Sequence, residues 1–460
     1  MLRAIPEKDK KDKLEIKRNT PMTRKTKIVN LVFGCQLLVL SAASQAGLGS
    51  YLNGAGATNR ALSGAGVAFA EDSMVIATNP AGILGLEKDG WVLGSIFLSA
   101  GQTAYAKEPT ASSQPNGAFV FAPGQRRAEP DVPAEIDGVF PIPFGAIHRQ
   151  IDERNAIGLV VYGNGGININ YKAFDNPNCP SNTPQQGYLC FGDTGSDIAQ
   201  IFIAPTWSHQ LNERLRIGIS PELIYQTIEV NGFQLFSPAS AAPDKLSNNG
   251  HSQSFGYGIK TGATLVINDQ LTAGLTLQSK GYMQKHQEYR GLLAEQGDLD
   301  IAPYLQYGLA WQVNPSLTLL ADYQRIYFSK VKAYANSGSA PGRYGDDNGP
   351  GFGWSDLSVL KLGLHYRVDE KITLRFGYSD VHKKPLNQQE IINNLISTAV
   401  FDERYNVGIS WSPNTIDTID LTFNYVPKQE ISGNNPLASD QQITLSNKLA
   451  SIDIAWRKSF

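Results

Sequence analysis

The chain has 460 residues, a formal net charge of −2, 44 glycines, 19 tyrosines and 19 phenylalanines, against 4 methionines and 3 cysteines. That balance gives no electrostatic case for a nucleic-acid partner. Mean hydropathy is −0.23, and a helical membrane protein of this length would carry several apolar runs of about 20 residues, whereas only one stretch comes close.

That stretch is IVNLVFGCQLLVLSAASQA, residues 28–46. It follows Arg24, Lys25 and Lys27 and ends in Ser44-Gln45-Ala46, small residues that fit a signal-peptidase site. Residues 1–46 are therefore expected to be an export signal cleaved after Ala46, with Met22 as an alternative start that would make it an ordinary one. The basic run before it, Lys8 to Arg18, could be taken as a nucleic-acid arm, but an over-called start is the blander account. Cys35 would suit a lipoprotein signal only if Phe33 were tolerated before it, which fits poorly.

Residues 47–88 are small, rich in Gly and Ala and punctuated by Asn79-Pro80-Ala81. Such a segment cannot bury enough side-chain surface to form its own core and has to be enclosed by something else. The following residues, 89–460, alternate apolar and polar with period two. Ile372, Leu374, Phe376 and Tyr378 share one face against Thr373, Arg375, Gly377 and Ser379; Ile419, Leu421, Phe423 and Tyr425 oppose Asp420, Thr422 and Asn424. The same holds for Tyr405–Trp411 and Leu271–Leu277.

A soluble sandwich also alternates, so the connections decide. Short turns at 149–155, 209–214, 268–270, 313–316, 368–371 and 412–415 alternate with long polar or Gly/Pro-rich stretches at 102–137, 164–195, 231–250, 285–298, 331–354, 383–399 and 428–442. Thirteen connections give fourteen strands. Segregated loop lengths and an even count are the pattern of an outer-membrane barrel, with both ends at the periplasmic rim, and closure leaves no unpaired edge in lipid. The fold expected is all-β: a 14-stranded antiparallel transmembrane barrel (89–460) with an N-terminal hatch (47–88) inside it. In an oxidising compartment Cys179 and Cys190, within one Pro-rich stretch, are expected to form a disulfide rather than two free thiols or a metal pair. Closing so short a loop contributes about 3 kcal/mol in the chain-entropy model.

The segments SGAGVAFAEDS (63–73) and ATNPAG (77–82), with a strand starting soon after at Trp91, make the chain resemble the FadL-type outer-membrane transporters of long-chain fatty acids and hydrocarbons. PIPFGAIHRQ (141–150) and the C-terminal strand extend the likeness. The final Phe460 resembles the signal read by the outer-membrane assembly machinery, although Lys458 stands where an aromatic is usual. The resemblance implies a monomer without cofactor or metal that takes up a long-chain fatty acid or other hydrophobic molecule and releases it sideways into outer-membrane lipid. It implies that Asn79-Pro80-Ala81 touches an inward kink of a wall strand. The third strand, NAIGLVVYGNGGININY, could supply that kink at Gly163, Gly165 and Gly166. By offset, Leu48 or Tyr51 would reach the ligand. Phe119, Phe121, Phe233, Leu235, Phe236, Leu292 and Leu293 are candidates for an outer capture groove.

Two other classes compete. A general porin would use the plug merely to narrow its pore, and an outer-membrane lipolytic enzyme would need a Ser/His pair. There is no HExxH and no G-x-S-x-G among the residues, and the six histidines are scattered. His365 and His382 are expected to line the lumen or cap a strand. The Gly-rich 47–66 stretch lacks the preceding strand and following Gly-Lys-Ser/Thr of a phosphate loop.

Overall fold

In the computed structural model the residues described are 48, 50–108, 121, 123–128, 139–383, 386, 388–397 and 402–460. The expected export signal, the Gly47 terminus and Phe119 lie outside them.

Fourteen antiparallel strands close into one barrel. They are β1 (Gly90–Ala106), β2 (Val139–Gln150), β3 (Asn155–Tyr171), β4 (Thr194–Gln210), β5 (Leu215–Asn231), β6 (Ser252–Asn268) and β7 (Leu271–Gln278). The second half comprises β8 (Tyr304–Asn314), β9 (Leu317–Ile326), β10 (Leu357–Arg367), β11 (Ile372–Lys383), β12 (Glu403–Trp411), β13 (Asp417–Asn435) and β14 (Ala438–Ser459). Each strand pairs with its neighbours in sequence, and β14 returns to pair with β1 from Gly90↔Ser459 to Ala106↔Ile443. A short accessory segment, Gly124–Ala128, pairs with the upper part of β1. No described helix is long and apolar enough to cross a membrane; the strands do the crossing.

The alternation read from the sequence has its physical cause in the two solvents of the wall. On β13, Ile419, Leu421, Phe423 and Tyr425 face outward while Asp420, Thr422 and Asn424 are buried inside. On β14, Ile452, Ile454 and Trp456 face out, and Ser451 and Asp453 face in. Five of the six tryptophans, Trp91, Trp207, Trp311, Trp411 and Trp456, stand at the end of the short turns, the periplasmic end. Trp91 and Trp456 meet edge to face at 4.8 Å. Outward tyrosines, among them Tyr307, Tyr405 and Tyr425, stand nearer the other end, as amphipathic rings do at a membrane interface.

One long connection is corrected. Residues 428–442 are not a loop: β13 and β14 run on above the membrane and turn tightly between Asn435 and Ala438. Above the lipid neither face of a hairpin has to be apolar, so the alternation that marks the other strands is missing there. Strands β1 and β3 also extend several residues, and β4 two, into stretches expected to be loop. Cys179 and Cys190 are joined by a disulfide in the β3–β4 connection.

Candidate functional site: a plugged lumen with a break in its wall

Residues 50–88 fill the lumen with three short helical turns and bends rather than a core of their own. Their backbone comes so close to the wall that side chains there would collide. A Cβ on Gly262 of β6 would lie 1.9 Å from Asn79 Oδ1, and one on Gly377 of β11 would lie 2.3 Å from the Ser63 nitrogen. Bare backbone on the wall is what lets the hatch seat.

Polar contacts then fix it. Asn79 is fully buried; its Nδ2 donates to Val67 O at 2.7 Å and to Ala263 O at 3.1 Å, and its Oδ1 accepts from the Ala81 nitrogen at 3.0 Å. Ser208 of β4 donates to Pro80 O, Thr276 of β7 to Thr78 O at 2.9 Å, and Lys260 of β6 to Ala77 O at 2.9 Å. Lys260 is also paired with Glu222 at 3.0 Å, both buried. Lower down, Glu71 is gripped by Arg375 and by Arg457 at 3.3 Å; Arg457 in turn holds Asp420 at 3.1 Å. Asp322 of β9 accepts from the Gly66 and Val67 nitrogens, each at 2.9 Å. Arg60 is clamped to Asp453 of the last strand at 2.7 Å.

The histidines fall where structure, not chemistry, uses them. His365 faces the lumen 3.8 Å from Glu71, with the Phe69 ring 5.1 Å away, and His382 caps the outer end of β11 beside Asp380 at 3.1 Å. Ser73 and His148 form a hydrogen-bonded pair at 2.8 Å, but His148 Nε2 donates to Lys88 O at 2.8 Å and both side chains are sealed between hatch and wall. Among the described residues no group of three His, Cys, Asp or Glu could hold a metal ion.

The wall breaks at β3. Its ladder with β2 stops at Phe144↔Tyr162, and its register with β4 shifts between Gly163 and Gly165. Pro141 and Pro143 sit on the β2 side of the gap and have no N–H to offer it. Beyond the shift alternation is lost: Gly165, Gly166 and the five residues after them are all buried, so this end of β3 has left the lipid face. The hatch residues against it are not Asn79-Pro80-Ala81, as the resemblance implied, but Ser50–Leu52. Leu52 donates to Asn164 O at 2.7 Å, and a Cβ on Gly165 would lie 1.8 Å from Ser50 O. The Asn79 amide is used three strands further on, at β6, because the bare wall it seats against is at Gly218 and Gly262.

Above the hatch the loops enclose a small apolar cavity of about 40 Å³. Phe233, Leu292 and Leu293 line it with Ile228, Tyr344 and Phe352. Phe236 packs behind, 5.7 Å from Phe233, and Leu235 is half-buried there; Phe121 is elsewhere, on Tyr188 at 5.6 Å. An aromatic partition separates this cavity from a lower one. Tyr334 stacks on Trp354 at 4.9 Å, Phe328 meets Trp354 at 5.0 Å, and Tyr51 reaches Phe328 at 6.5 Å and Tyr304 at 5.9 Å. Leu48 is buried and folded back on Tyr51, its nitrogen donating to Tyr51 O at 2.9 Å.

The lower cavity, also about 40 Å³, is polar and lies against the break: Tyr51, Tyr162, Gly163, Asn164, Gln306 and Lys361 line it. Lys361 of β10 is buried, and its one hydrogen bond among the described residues is a long one, 3.4 Å to Gly64 O. Nothing in the motif-based reading singled it out, yet the signal was present: Leu360, Leu362 and Leu364 alternate with Lys361, Gly363 and His365, which places a lysine on the luminal face. Each cavity has room for two or three waters, so the structure is a closed state and a ligand must part the loops. A much larger concavity, about 860 Å³, is on the outside of the wall around Leu309, Trp311, Phe376 and Val407, facing lipid.

Residues 37–451 match the family model of outer membrane transport proteins, OMPP1/FadL/TodX. Among solved structures the chain is similar to the toluene transporter TodX of P. putida, at 16% identity and a TM-score of 0.62 over 89% of this chain and 99% of that one. It is similar to a FadL homologue of Pseudomonas aeruginosa at 15% identity and a TM-score of 0.64, over 90% and 100%. A third is the toluene transporter TbuX of Ralstonia pickettii, at 17% and 0.58, over 89% and 99%. No curated protein sequence matches.

Proposed function

The chain belongs to the OMPP1/FadL/TodX family of outer-membrane transport proteins, channels for hydrophobic compounds and not enzymes, and on that footing we propose that it releases its cargo sideways, through its own wall. The observation that carries this is the open ladder between β2 and β3 above Phe144 and Tyr162, beside the register shift at Gly163 and Gly165. A straight route to the periplasm would have to displace the Glu71, Asp322 and Arg60 contacts together. The sideways route requires only that Ser50–Leu52 move off the break.

Passage then has three stages. The substrate enters the apolar cavity at Phe233, Leu292 and Leu293, passes the Tyr51 partition into the cavity at Lys361, and leaves by the gap beside Gly163. The substrate class favoured is a long-chain carboxylic acid. The buried Lys361 ammonium makes one long hydrogen bond, and its neighbouring anion, Asp322, is already engaged by the Gly66 and Val67 amides and by Gln306, so a second anion or water would complete it. A monoaromatic hydrocarbon is the second reading, supported by the aromatic partition and by the relatives that are toluene transporters.

Gly163→Val tests the route. A Cβ at Gly163 would lie 2.7 Å from Ile142 Cγ2 across the gap. Uptake of labelled oleate into intact cells should fall about tenfold, with the barrel still heat-modifiable on gels. Unchanged uptake in a folded variant would point to a straight channel, and steady ion conductance of the wild type in planar bilayers would point to a porin. Lys361→Met tests the substrate: oleate affinity should drop about tenfold, the worth of one charge-assisted hydrogen bond, with toluene uptake unaffected. The reverse outcome would favour the aromatic hydrocarbon.

A further inference from the structure

Above the lipid-facing band, the outer wall carries cations that transport through the lumen does not use. Lys448 on β14 is exposed and is registered against Gly101 of β1. A Cβ at Gly101 would stand 3.6 Å from Arg127 Nε and Nη2, so the guanidinium lies across the bare backbone at that point. Arg127 comes from the accessory segment, paired with β1 through Thr103, and is exposed. Two unlike strands thus bring an arginine and a lysine together on the outside of the wall. Neither has an ion pair or a side-chain hydrogen bond among the described residues. On the other side of Lys448, Lys428 falls in the irregularity of the β13–β14 ladder, paired with Glu430.

Height gives the cluster a meaning. Gly101 is about ten residues along β1 from Trp91 of the periplasmic belt; at ~3.3 Å per residue and a tilt of ~40°, that is about 25 Å, the full height of the lipid-facing band. The two cations stand where hydrocarbon gives way to headgroups. Like charges side by side repel, and an arginine fork beside an ammonium is the geometry that phosphate oxygens satisfy.

We propose that Arg127 and Lys448, with Lys428 at their flank, form an outward-facing clamp for the phosphate of an outer-leaflet lipid headgroup. The accessory segment packs against β3, the strand that carries the register shift. A lipid held there would set its acyl chains in front of the break, although the clamp does not depend on the break being an exit.

The test compares wild type with the Arg127→Gln/Lys448→Gln double variant, purified in non-ionic detergent, with bound lipid counted by native mass spectrometry. The probes are diphosphoryl lipid A, phosphatidylglycerol, zwitterionic phosphatidylcholine and inorganic phosphate. Wild type should retain one lipid A or phosphatidylglycerol at least fivefold more than the double variant, with little phosphatidylcholine, and Arg127→Lys should keep part of the retention. A Lys285→Gln/Lys330→Gln control, which removes two cations from other loops, should behave as wild type. Heat-modifiable migration confirms that each variant is folded. Equal retention by wild type and the double variant, an equal loss in the control, or binding of inorganic phosphate without lipid retention would each overturn the proposal.

Discussion

The lower and upper halves of the lumen are built on opposite principles. Below, the hatch is held by charge and backbone: Glu71 between Arg375 and Arg457, Asp322 on two backbone amides, Asn79 on β6. Above, the loops are held by apolar and aromatic packing around Tyr334, Trp354 and Phe328, with small cavities left between. Directional contacts specify one position, and losing a partner leaves a buried charge unpaired. Apolar contacts are non-directional and can be exchanged for those of a hydrophobic ligand at little cost. The comparison teaches where motion belongs: the lower hatch is a fixed floor, and the part that yields is the aromatic partition with Tyr51.

The sharpest way to break that division is to remove the floor's central anion. Glu71→Gln leaves Arg375 and Arg457 facing a neutral amide with Asp420 as their remaining anion, and breaking a largely buried pair in this way costs up to about 3–5 kcal/mol. The hatch should loosen while the barrel stays closed, seen as new steady ion conductance in planar bilayers with unchanged heat-modifiability. If conductance stays at the wild-type level, the floor does not depend on Glu71.

A smaller effect is expected at Asn79→Ala, which removes the hydrogen bonds to Ala263 O and Val67 O and costs about 1–3 kcal/mol. Because the amide braces β6 and not the break at Gly165, hydrogen exchange should rise at residues 75–85 but not at Ser50–Leu52. Faster exchange at Ser50–Leu52 as well would mean that the two anchor points act as one.

The smallest effect belongs to the upper half and to pH. His286, in the β7–β8 connection, is buried between Ser252 and Gln226, and burial lowers its pKa to about 4. The unfolded loop takes up a proton near the ordinary histidine value of about 6.5, the folded one only near 4. Stability from this residue is therefore full above 6.5 and lost as pH falls toward 4. Asp298, raised by burial and by Asp300, acts in the opposite sense. With Asp298 offsetting part of the effect, limited proteolysis of the 279–303 loop should quicken modestly, about twofold, between pH 7 and 5, and His286→Gln should abolish or reverse that dependence without touching the lower half.

Much of this molecule was legible in the chain. Fourteen strands followed from period-two alternation and segregated loop lengths, because lipid outside and polar lumen inside impose that pattern on every crossing strand. The β13–β14 extension was missed for the same reason in reverse: Lys428, Glu430 and Ser432 stand above the lipid, where no face must be apolar, and they read as loop. Asn79 was singled out because an Asn-Pro between a small-residue segment and the first strand matches the hatch motif of the resembling family. Ser50–Leu52, which meets the wall's break through backbone atoms, offers no side-chain signature for that contact, and Tyr51 was named only by its offset as a ligand-reaching residue. Phe233, Leu292 and Leu293 were named as one apolar set, and they do line one cavity; Phe121 was grouped with them on hydrophobicity alone, which says nothing of which loop covers which.

The Arg60–Asp453 pair joins the start of the plug to the last strand across most of the chain's length. Thr422 and Asn406 reach hatch carbonyls from late strands as well, on Ala57 O and Arg60 O. Contacts so distant in sequence can form only after the intervening chain is in place. The hatch is made first but can be locked last, once the final strands have arrived. A barrel stalled before β14 lacks the partner of Arg60, so the seating of that one arginine reports that the cylinder is complete.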